Sequence, residues 1–139
     1  MEIKMEIKME IGTVHEINVT VENHMTAATM KSGNLDVLAT PYMIALMEQA
    51  SAELCQPYLP EGISTVGTMV NIQHLAATSI GAPVRTVATL TAFDGRKASF
   101  DIVSYDNAGV IGKGTHERFT IKIDSFLKKT QERKDIVAE

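Results

Sequence analysis

Three side chains in the middle of the chain have the types needed for acid–base chemistry: Thr40, Glu48 and His74. Glu48 is the only charged residue between positions 37 and 52. Because an ionised carboxylate in an apolar helix needs a partner, and His74 lies on the apolar side of the following strand, we expect the two to interact. A carboxylate that accepts from one ring nitrogen leaves the other nitrogen free as a base. A purely structural pair in the core explains the same residues equally well.

Thr40 and Gly67 each have an ordinary structural interpretation beside a functional one. Thr40 precedes Pro41 at the start of the predicted helix, where threonine is a common N-cap and where backbone N–H groups favour negative charge. Gly67 allows a ligand to approach the backbone closely, and it is equally suited to the entry of a strand. The residues alone leave both alternatives open.

The pattern of histidines, cysteine and glycines predicts neither a metal nor an organic cofactor. The four histidines and the single cysteine, Cys55, lack metal-ligand spacing. The G-x-G of "GKGTHERF" has no helix behind it and is not a dinucleotide fingerprint. Cys55 is expected to be a small buried apolar residue, and a lone cysteine agrees with a reducing compartment.

Length and charge limit the class of protein. The 139 residues suit one domain, and 13 basic against 17 acidic residues give a net charge of −4, with both signs mixed along the chain. This distribution argues against binding to nucleic acid or to an anionic membrane. No stretch approaches the roughly 20 apolar residues of a spanning helix, and no signal peptide is evident. We expect a soluble, cytoplasmic protein.

The periodicity of apolar residues predicts one helix and five strands. Apolar residues at helical spacing between Pro41 and Pro57 predict a helix over 41–55. Alternating residues predict a long or broken strand over 2–22 and four later strands, at 66–76, 84–93, 97–106 and 110–123. The repeat "MEIKMEIK" (1–8) is treated as an extra segment without a function. The charged tail (126–139) is expected to be either a short helix or solvated chain.

One largely apolar helix among four or five strands must be wrapped by the sheet if its surface is to be buried. The sequence therefore predicts an α+β protein with the hotdog fold, in which a curved antiparallel sheet surrounds one central helix. We expect residues 1–139 to form a single domain.

Three blocks of sequence resemble the hotdog thioesterases of the fluoroacetyl-CoA thioesterase type. They are "ATPYMIALMEQASAELCQPYLPEG", "VGTMVNIQHLAATSIGAPV" and "GKGTHERFTIKIDSF", and the intervals between them also match. The resemblance extends from about residue 9 to about residue 130, so "MEIKMEIK" lies outside it.

The resemblance implies a catalytic set of Thr40, Glu48 and His74, with Gly67 by the thioester and Arg118 at the border of the active site. The strand period, however, places Arg118 with His116 and Thr120 on the more polar face. The resemblance also implies a homodimer. Thr40 and Glu48 are eight residues apart, which is about 12 Å along a continuous helix and too far for one imidazole to touch both. Either the chain around Thr40 folds back, or the two residues of one site come from different protomers, which is the alternative we favour.

These expectations favour hydrolysis of short acyl-CoA thioesters to the free acid and coenzyme A. Two alternatives are a hotdog enoyl-CoA hydratase or dehydratase, and an acyl-CoA binding module in which the histidine and glutamate are structural. The sequence also departs from the family ahead of the helix. Fluoroacetyl-CoA specialists are phenylalanine-rich there, whereas "KSGNLDVLATP" has no aromatic residue.

Overall fold

The structure, a computed structural model, describes residues 7–138. Five strands and three helices follow one another as β1 (Val14–Thr20), α1 (Ala27–Met30), α2 (Thr40–Cys55), β2 (Ile63–His74), β3 (Pro83–Phe93), β4 (Lys97–Asp106), β5 (Gly109–Lys122) and α3 (Ile123–Lys134). The strands form one sheet in the order β1-β3-β4-β5-β2, and every neighbouring pair is antiparallel. The α+β hotdog fold predicted from the sequence is confirmed.

Helix α2 supplies the apolar surface around which the sheet curves. Its buried side chains recur at helical spacing and include Met43, Met47, Ala50 and Leu54, as the sequence predicted. They pack against buried residues of β3, β4 and β5, among them Leu90, Phe100, Ile102 and Ile111. This packing fixes the position of the helix, and therefore of its polar side chains, relative to the sheet.

The start of α2 differs from the expectation in one respect. The N-cap is Ala39, with no side-chain capping bond, and Thr40 is the first helical residue. Pro41 follows at a position where its missing N–H costs no intrahelical bond. The Thr40 hydroxyl is therefore not used as a cap, so the simple structural interpretation of this residue was wrong.

Strand β2 contains a bulge that sets the direction of its side chains. Its register with β5 shifts between Gly67 and Met69, and the Thr68 hydroxyl donates to the Glu117 carbonyl at 3.2 Å. Beyond the bulge, Val70 pairs with His116 and His74 with Gly112, both of which face α2. His74 thus points towards the helix, as the alternation predicted, near the open end of the strand.

Within the described part of the chain, the strand predicted over 2–22 is present only as Val14–Thr20. Residues 7–13 form no strand, and residues 1–6 lie outside the described part of the chain. Gly12 adopts a φ of 92°, and the Thr13 amide bonds to the Glu10 carbonyl, which closes a turn. The apolar alternation still marks burial, because Ile7 and Met9 pack into the core.

At the other end, the charged tail forms α3 as far as Lys134. None of the residues of α3 is buried. Within residues 7–138, no helix has the length and apolarity required to cross a membrane.

Candidate active site

The beginning of α2 and the end of β2 bring two of the predicted side chains together. Thr40 Oγ1 lies 2.7 Å from His74 Nδ1. At this distance a ring nitrogen that carries no proton accepts a hydrogen bond from the hydroxyl. Thr40 is exposed, so the hydroxyl is open to a substrate. We call Thr40 and His74 the hydroxyl pair.

The second nitrogen of His74, Nε2, is buried and has no hydrogen-bond partner within the described residues. Burial lowers the pKa of His74 below its ordinary value, and the nearby Ala76 backbone opposes that shift. A lowered pKa keeps the ring neutral near pH 7, which is the form that can act as a base.

Glu48 lies elsewhere, and its expected contact with His74 is not made within the protomer. Its Oε2 lies 3.9 Å from Arg118 Nη1. The Glu48 side chain is also 44% exposed, so it is not the enclosed carboxylate that the apolar stretch suggested. The reason is its position on α2, two turns beyond Thr40, where the helix faces the middle of β2 and β5.

Arg118 lies beside Glu48, deep in the protein. Its side chain is only 9% exposed. Its Nε donates to Thr65 Oγ1 at 2.9 Å, its Nη2 donates to the Thr65 carbonyl at 3.1 Å, and its Nη1 lies 3.2 Å from His116 Nε2. The polar face of β5 therefore faces α2 and lines the interior. His116 and Arg118 can be buried there because they bond to each other and to β2, whereas the buried Thr120 hydroxyl on the same face has no hydrogen-bond partner within the described residues.

Gly67 provides the space in which these groups meet. A Cβ on Gly67 would lie 2.8 Å from Glu48 Oε2, 3.1 Å from His116 Cε1 and 3.2 Å from Arg118 Nη1. No side chain other than hydrogen fits without moving the carboxylate. We call Glu48, Gly67, His116 and Arg118 the carboxylate cluster.

The hydroxyl pair and the carboxylate cluster are far apart within one chain. Seven residues of β2 separate Gly67 from His74, which corresponds to roughly 20 Å of strand after allowance for the bulge. One substrate carbonyl cannot contact both groups of a single protomer. A groove of about 1840 Å³ between the N-terminal segment, the β3–β4 turn and α3 is lined by none of the predicted site residues.

The segment ahead of α2 is exposed and has no aromatic side chain between residues 31 and 36. Residues 31–36 are all exposed, and Leu35 is 68% exposed. Leu38 is buried in the core, and its amide donates to the Thr78 carbonyl at 2.9 Å. The buried Leu38 therefore anchors the C-terminal end of this segment, whereas its exposed part, residues 31–36, has no aromatic side chain.

Other reactive groups do not contribute to the site. Burial raises the pKa of the Cys55 thiol to about 11, although the charge of Arg118 opposes the shift. Cys55 is thus a buried, unreactive thiol, as expected. Among residues 7–138, no group of three or more metal-ligating side chains lies together.

Comparison with known proteins places this geometry in a family. Residues 21–124 match the family described as fluoroacetyl-CoA-specific thioesterase. A fluoroacetyl-CoA thioesterase of Streptantibioticus cattleyicolor is 37% identical over 98 residues, which are 70% of each chain. The chain belongs to the fluoroacetyl-CoA-specific thioesterase family.

Solved structures of thioesterases of this family agree closely with the fold. One structure of the fluoroacetyl-CoA thioesterase has a TM-score of 0.87 and 31% identity, and the match covers 91% of this chain and 98% of that one. A threonine-to-serine variant in complex with acetyl-CoA gives a TM-score of 0.86 and 30% identity, over 90% and 98% of the two chains.

Family membership confirms the expected class of enzyme, an acyl-CoA thioesterase of hotdog fold. The hydratase and the non-catalytic binding module are not favoured. Five of the six members of the two groups are residues that the sequence predicted for the site, namely Thr40, His74, Glu48, Gly67 and Arg118, whereas His116 was given no role. The signal available was a histidine two residues before an arginine on a strand, which alone is common and unspecific.

Proposed function

We propose that the protein hydrolyses short-chain acyl-CoA thioesters to the free acid and coenzyme A, with Thr40, His74 and Glu48 as its catalytic residues. The observation that carries the proposal is the 2.7 Å contact between Thr40 Oγ1 and His74 Nδ1. A hydroxyl beside a neutral imidazole is the arrangement of an activated nucleophile and its base. A binding module needs neither group, and addition of water to a double bond needs no hydroxyl side chain.

In this mechanism His74 moves one proton. As the Thr40 oxygen, or a water in its place, attacks the thioester carbonyl carbon, His74 Nδ1 takes the proton of the attacking hydroxyl. The ring then returns the proton to the sulfur of coenzyme A as the carbon–sulfur bond breaks. If water attacks, the free acid forms in this step. If Thr40 attacks, an acyl ester on Thr40 forms, and a water molecule then hydrolyses it: His74 Nδ1 takes a proton from the water and returns it to the Thr40 oxygen as the free acid leaves. General base catalysis of this type contributes roughly 10²–10⁴ in rate.

The start of α2 is suited to stabilise the oxygen that becomes negative. Thr40 and Tyr42 are in the first turn, where backbone N–H groups have no acceptor in a preceding turn, and Pro41 between them has no N–H. These donors and the helix dipole favour an anion beside Thr40. A single donor of this kind is worth roughly 10²–10³ in rate.

The second half of the site is proposed to come from another copy of the chain. Strand β2 is an edge of the sheet, and both Val70 within it and Leu75 just after its end are exposed. A twelve-residue edge with exposed apolar side chains is one that proteins usually cover. Pairing of β2 with its symmetry mate would cover it in a homodimer.

Antiparallel pairing across a two-fold axis explains why the two groups lie apart in one chain. When two such strands overlap, the His74 end of one lies beside the Gly67 end of the other. The hydroxyl pair of one protomer then faces the carboxylate cluster of its partner. Each of the two sites would hold Thr40 and His74 from one chain and Glu48, Gly67 and Arg118 from the other.

This arrangement changes the role expected for Glu48. Because His74 Nε2 is enclosed by its own chain, a carboxylate from outside does not reach it directly. We assign Glu48 instead to the substrate side, where it would hold the attacking water or the reacting acyl group. Gly67 leaves room for this carboxylate, and Arg118 keeps it oriented from behind.

We further propose that residues 1–139 act as one cytoplasmic domain, without a cofactor and without membrane or nucleic-acid partners. The proposal is supported by the mixed charge of the chain and by its single, buried cysteine. The direct test of function is release of free thiol from acetyl-, propionyl- and butyryl-CoA by the purified protein. Release at a rate that depends on enzyme concentration is expected, and absence of release from every acyl-CoA would contradict the proposal.

A further inference from the structure

His116 is a fully enclosed ring with a defined hydrogen-bonding state. It is 1% exposed and stacks on Phe100, with ring centroids 5.9 Å apart. Its Nδ1 lies 2.7 Å from the Met69 carbonyl, which can only accept, so Nδ1 carries the proton. In the neutral ring Nε2 is then an acceptor, and it receives Arg118 Nη1 at 3.2 Å.

The surroundings favour that neutral state. Burial lowers the pKa of His116, and the positive charge of Arg118 lowers it further, while the bond to the Met69 backbone opposes both effects. A protonated ring would present an N–H to the guanidinium, where an acceptor is required. The observed contacts are therefore those of a neutral imidazole that donates to one side and accepts from the other.

The guanidinium of Arg118 is held on two sides. Thr65 accepts from Nε through its hydroxyl and from Nη2 through its carbonyl, while His116 accepts from Nη1. With these contacts the fork cannot rotate, and Nη1 is left 3.9 Å from Glu48 Oε2. The bond from His116 to Met69 also joins the guanidinium to the residue that follows the bulge of β2.

We propose that His116 is a positioning residue for hydrolysis: it acts through Arg118 to hold the Glu48 carboxylate over Gly67. The proposal rests on the proposed function, in which Glu48 acts on the substrate. His116 is not placed to react with the substrate itself, because its side chain is buried and both ring nitrogens are already used, Nδ1 towards the Met69 carbonyl and Nε2 towards Arg118.

Two conservative variants separate the two hydrogen bonds of the ring. In His116→Asn the amide nitrogen can replace Nδ1 and keep the bond to Met69, but nothing reaches Arg118. In His116→Gln the longer side chain places an acceptor where Nε2 was and keeps the bond to Arg118. If His116 only supports the bulge through Met69, His116→Asn should retain more activity than His116→Gln. If it acts through Arg118, His116→Gln should retain more.

Steady-state thiol release should rank the variants by kcat. We expect His116→Asn to lower kcat by about tenfold to a hundredfold with little change in KM, since a catalytic group displaced by about 1 Å can lose as much. His116→Gln should retain kcat within about threefold of the parent. Equal losses in the two variants, or a larger loss in His116→Gln, would overturn the proposal.

The same measurement in a Glu48→Gln background tests the route. If His116 acts through the carboxylate, adding His116→Asn to Glu48→Gln should lower kcat no further. A further loss of tenfold would overturn the proposal. If Glu48→Gln alone retains the parental kcat, the role of Glu48 and the proposal both fail, whereas a loss in Glu48→Gln with no effect of His116→Asn overturns only the proposal.

Thermal unfolding of each variant shows whether it is folded. Should His116→Asn fail to fold, Thr65→Val replaces it, because it removes the Thr65 hydroxyl that accepts from Arg118 Nε and nearly preserves the side-chain shape. The expected result is again a loss of kcat that disappears in the Glu48→Gln background. Persistence of the loss there would contradict the proposal.

Discussion

The hydroxyl pair and the carboxylate cluster lie on the same helix and the same strand, yet they are built in different ways. Thr40 and His74 contact each other directly, at the open end of β2, and Thr40 is exposed. The carboxylate cluster has buried donors behind a half-exposed Glu48. The first group is suited to react and the second to orient. One chain keeps them roughly 20 Å apart along β2, and the proposed homodimer would bring the hydroxyl pair of one protomer to the carboxylate cluster of the other.

The largest effect should follow from removing the base. We expect His74→Ala to lower kcat/KM for thiol release by at least about 10²–10⁴, the usual contribution of a general base, because no other imidazole contacts Thr40. His15→Ala, a histidine on β1 that contacts Glu53 at 2.9 Å, is the matched control and should retain activity.

Circular dichroism should show that His74→Ala is folded. Near-parental turnover in a folded His74→Ala variant would mean that the hydroxyl pair is structural. The proposal that the hydroxyl pair reacts while the carboxylate cluster orients would then be wrong.

The carboxylate cluster is tested by filling its central space. Gly67→Ala places a methyl group 2.8 Å from Glu48 Oε2, and because that oxygen ends a flexible side chain, the carboxylate should move while the fold persists. We expect a loss of kcat of roughly tenfold to a hundredfold and little change in melting temperature. Gly33→Ala is the control, because Gly33 is exposed and a Cβ there would lie 3.3 Å from Ala27 Cβ, away from the carboxylate cluster. Parental kcat in Gly67→Ala would show that the position of Glu48 does not matter.

A smaller effect is expected for the choice of acyl group. Residues 31–36, ahead of α2, are exposed and carry no aromatic side chain, and apolar pocket differences are worth only about 1–3 kcal/mol, or roughly 10- to 200-fold. We expect kcat/KM for acetyl-, fluoroacetyl-, propionyl- and butyryl-CoA to lie within about that range. A preference for fluoroacetyl-CoA of several orders of magnitude would contradict this expectation.

The smallest effect concerns pH. Burial disfavours the imidazolium form of His74, so its pKa lies below the ordinary value of 6.5. The neutral ring is the active form, and kcat/KM should therefore decrease as the pH falls, with a midpoint below 6.5. A profile of kcat/KM between pH 5 and 8 measures this. A midpoint above 6.5 would mean that another charge, such as a carboxylate in contact with the ring, dominates the environment of His74.

Much of the fold could be predicted from periodicity. Helix α2 and strands β2–β5 begin and end within a few residues of their expected positions. Each of these elements buries one regular face, and this produces the periodic pattern in the sequence. The N-terminal strand was overextended because alternation reports burial, and Ile7 and Met9 are buried without strand partners.

The site was predicted by residue type more than by contact. Thr40 and His74 are in hydrogen-bond contact, as a nucleophile and its base require. The expected bond from Glu48 to His74, however, is absent in the protomer. The polar face of β5 was the harder case. Arg118 and His116 are buried because they satisfy one another and β2, a mutual arrangement that no single-strand pattern reveals.

The composite site is tested most directly by mixing two inactive variants. Thr40→Ala lacks the nucleophile and Glu48→Ala lacks the carboxylate, and a hybrid dimer of the two has one site with both groups and one with neither. After random exchange of subunits, half of the dimers are hybrids, so about a quarter of all sites are restored. We predict thiol release at about a quarter of the parental rate. No recovery after exchange has been verified by mass spectrometry would contradict a site shared between two chains.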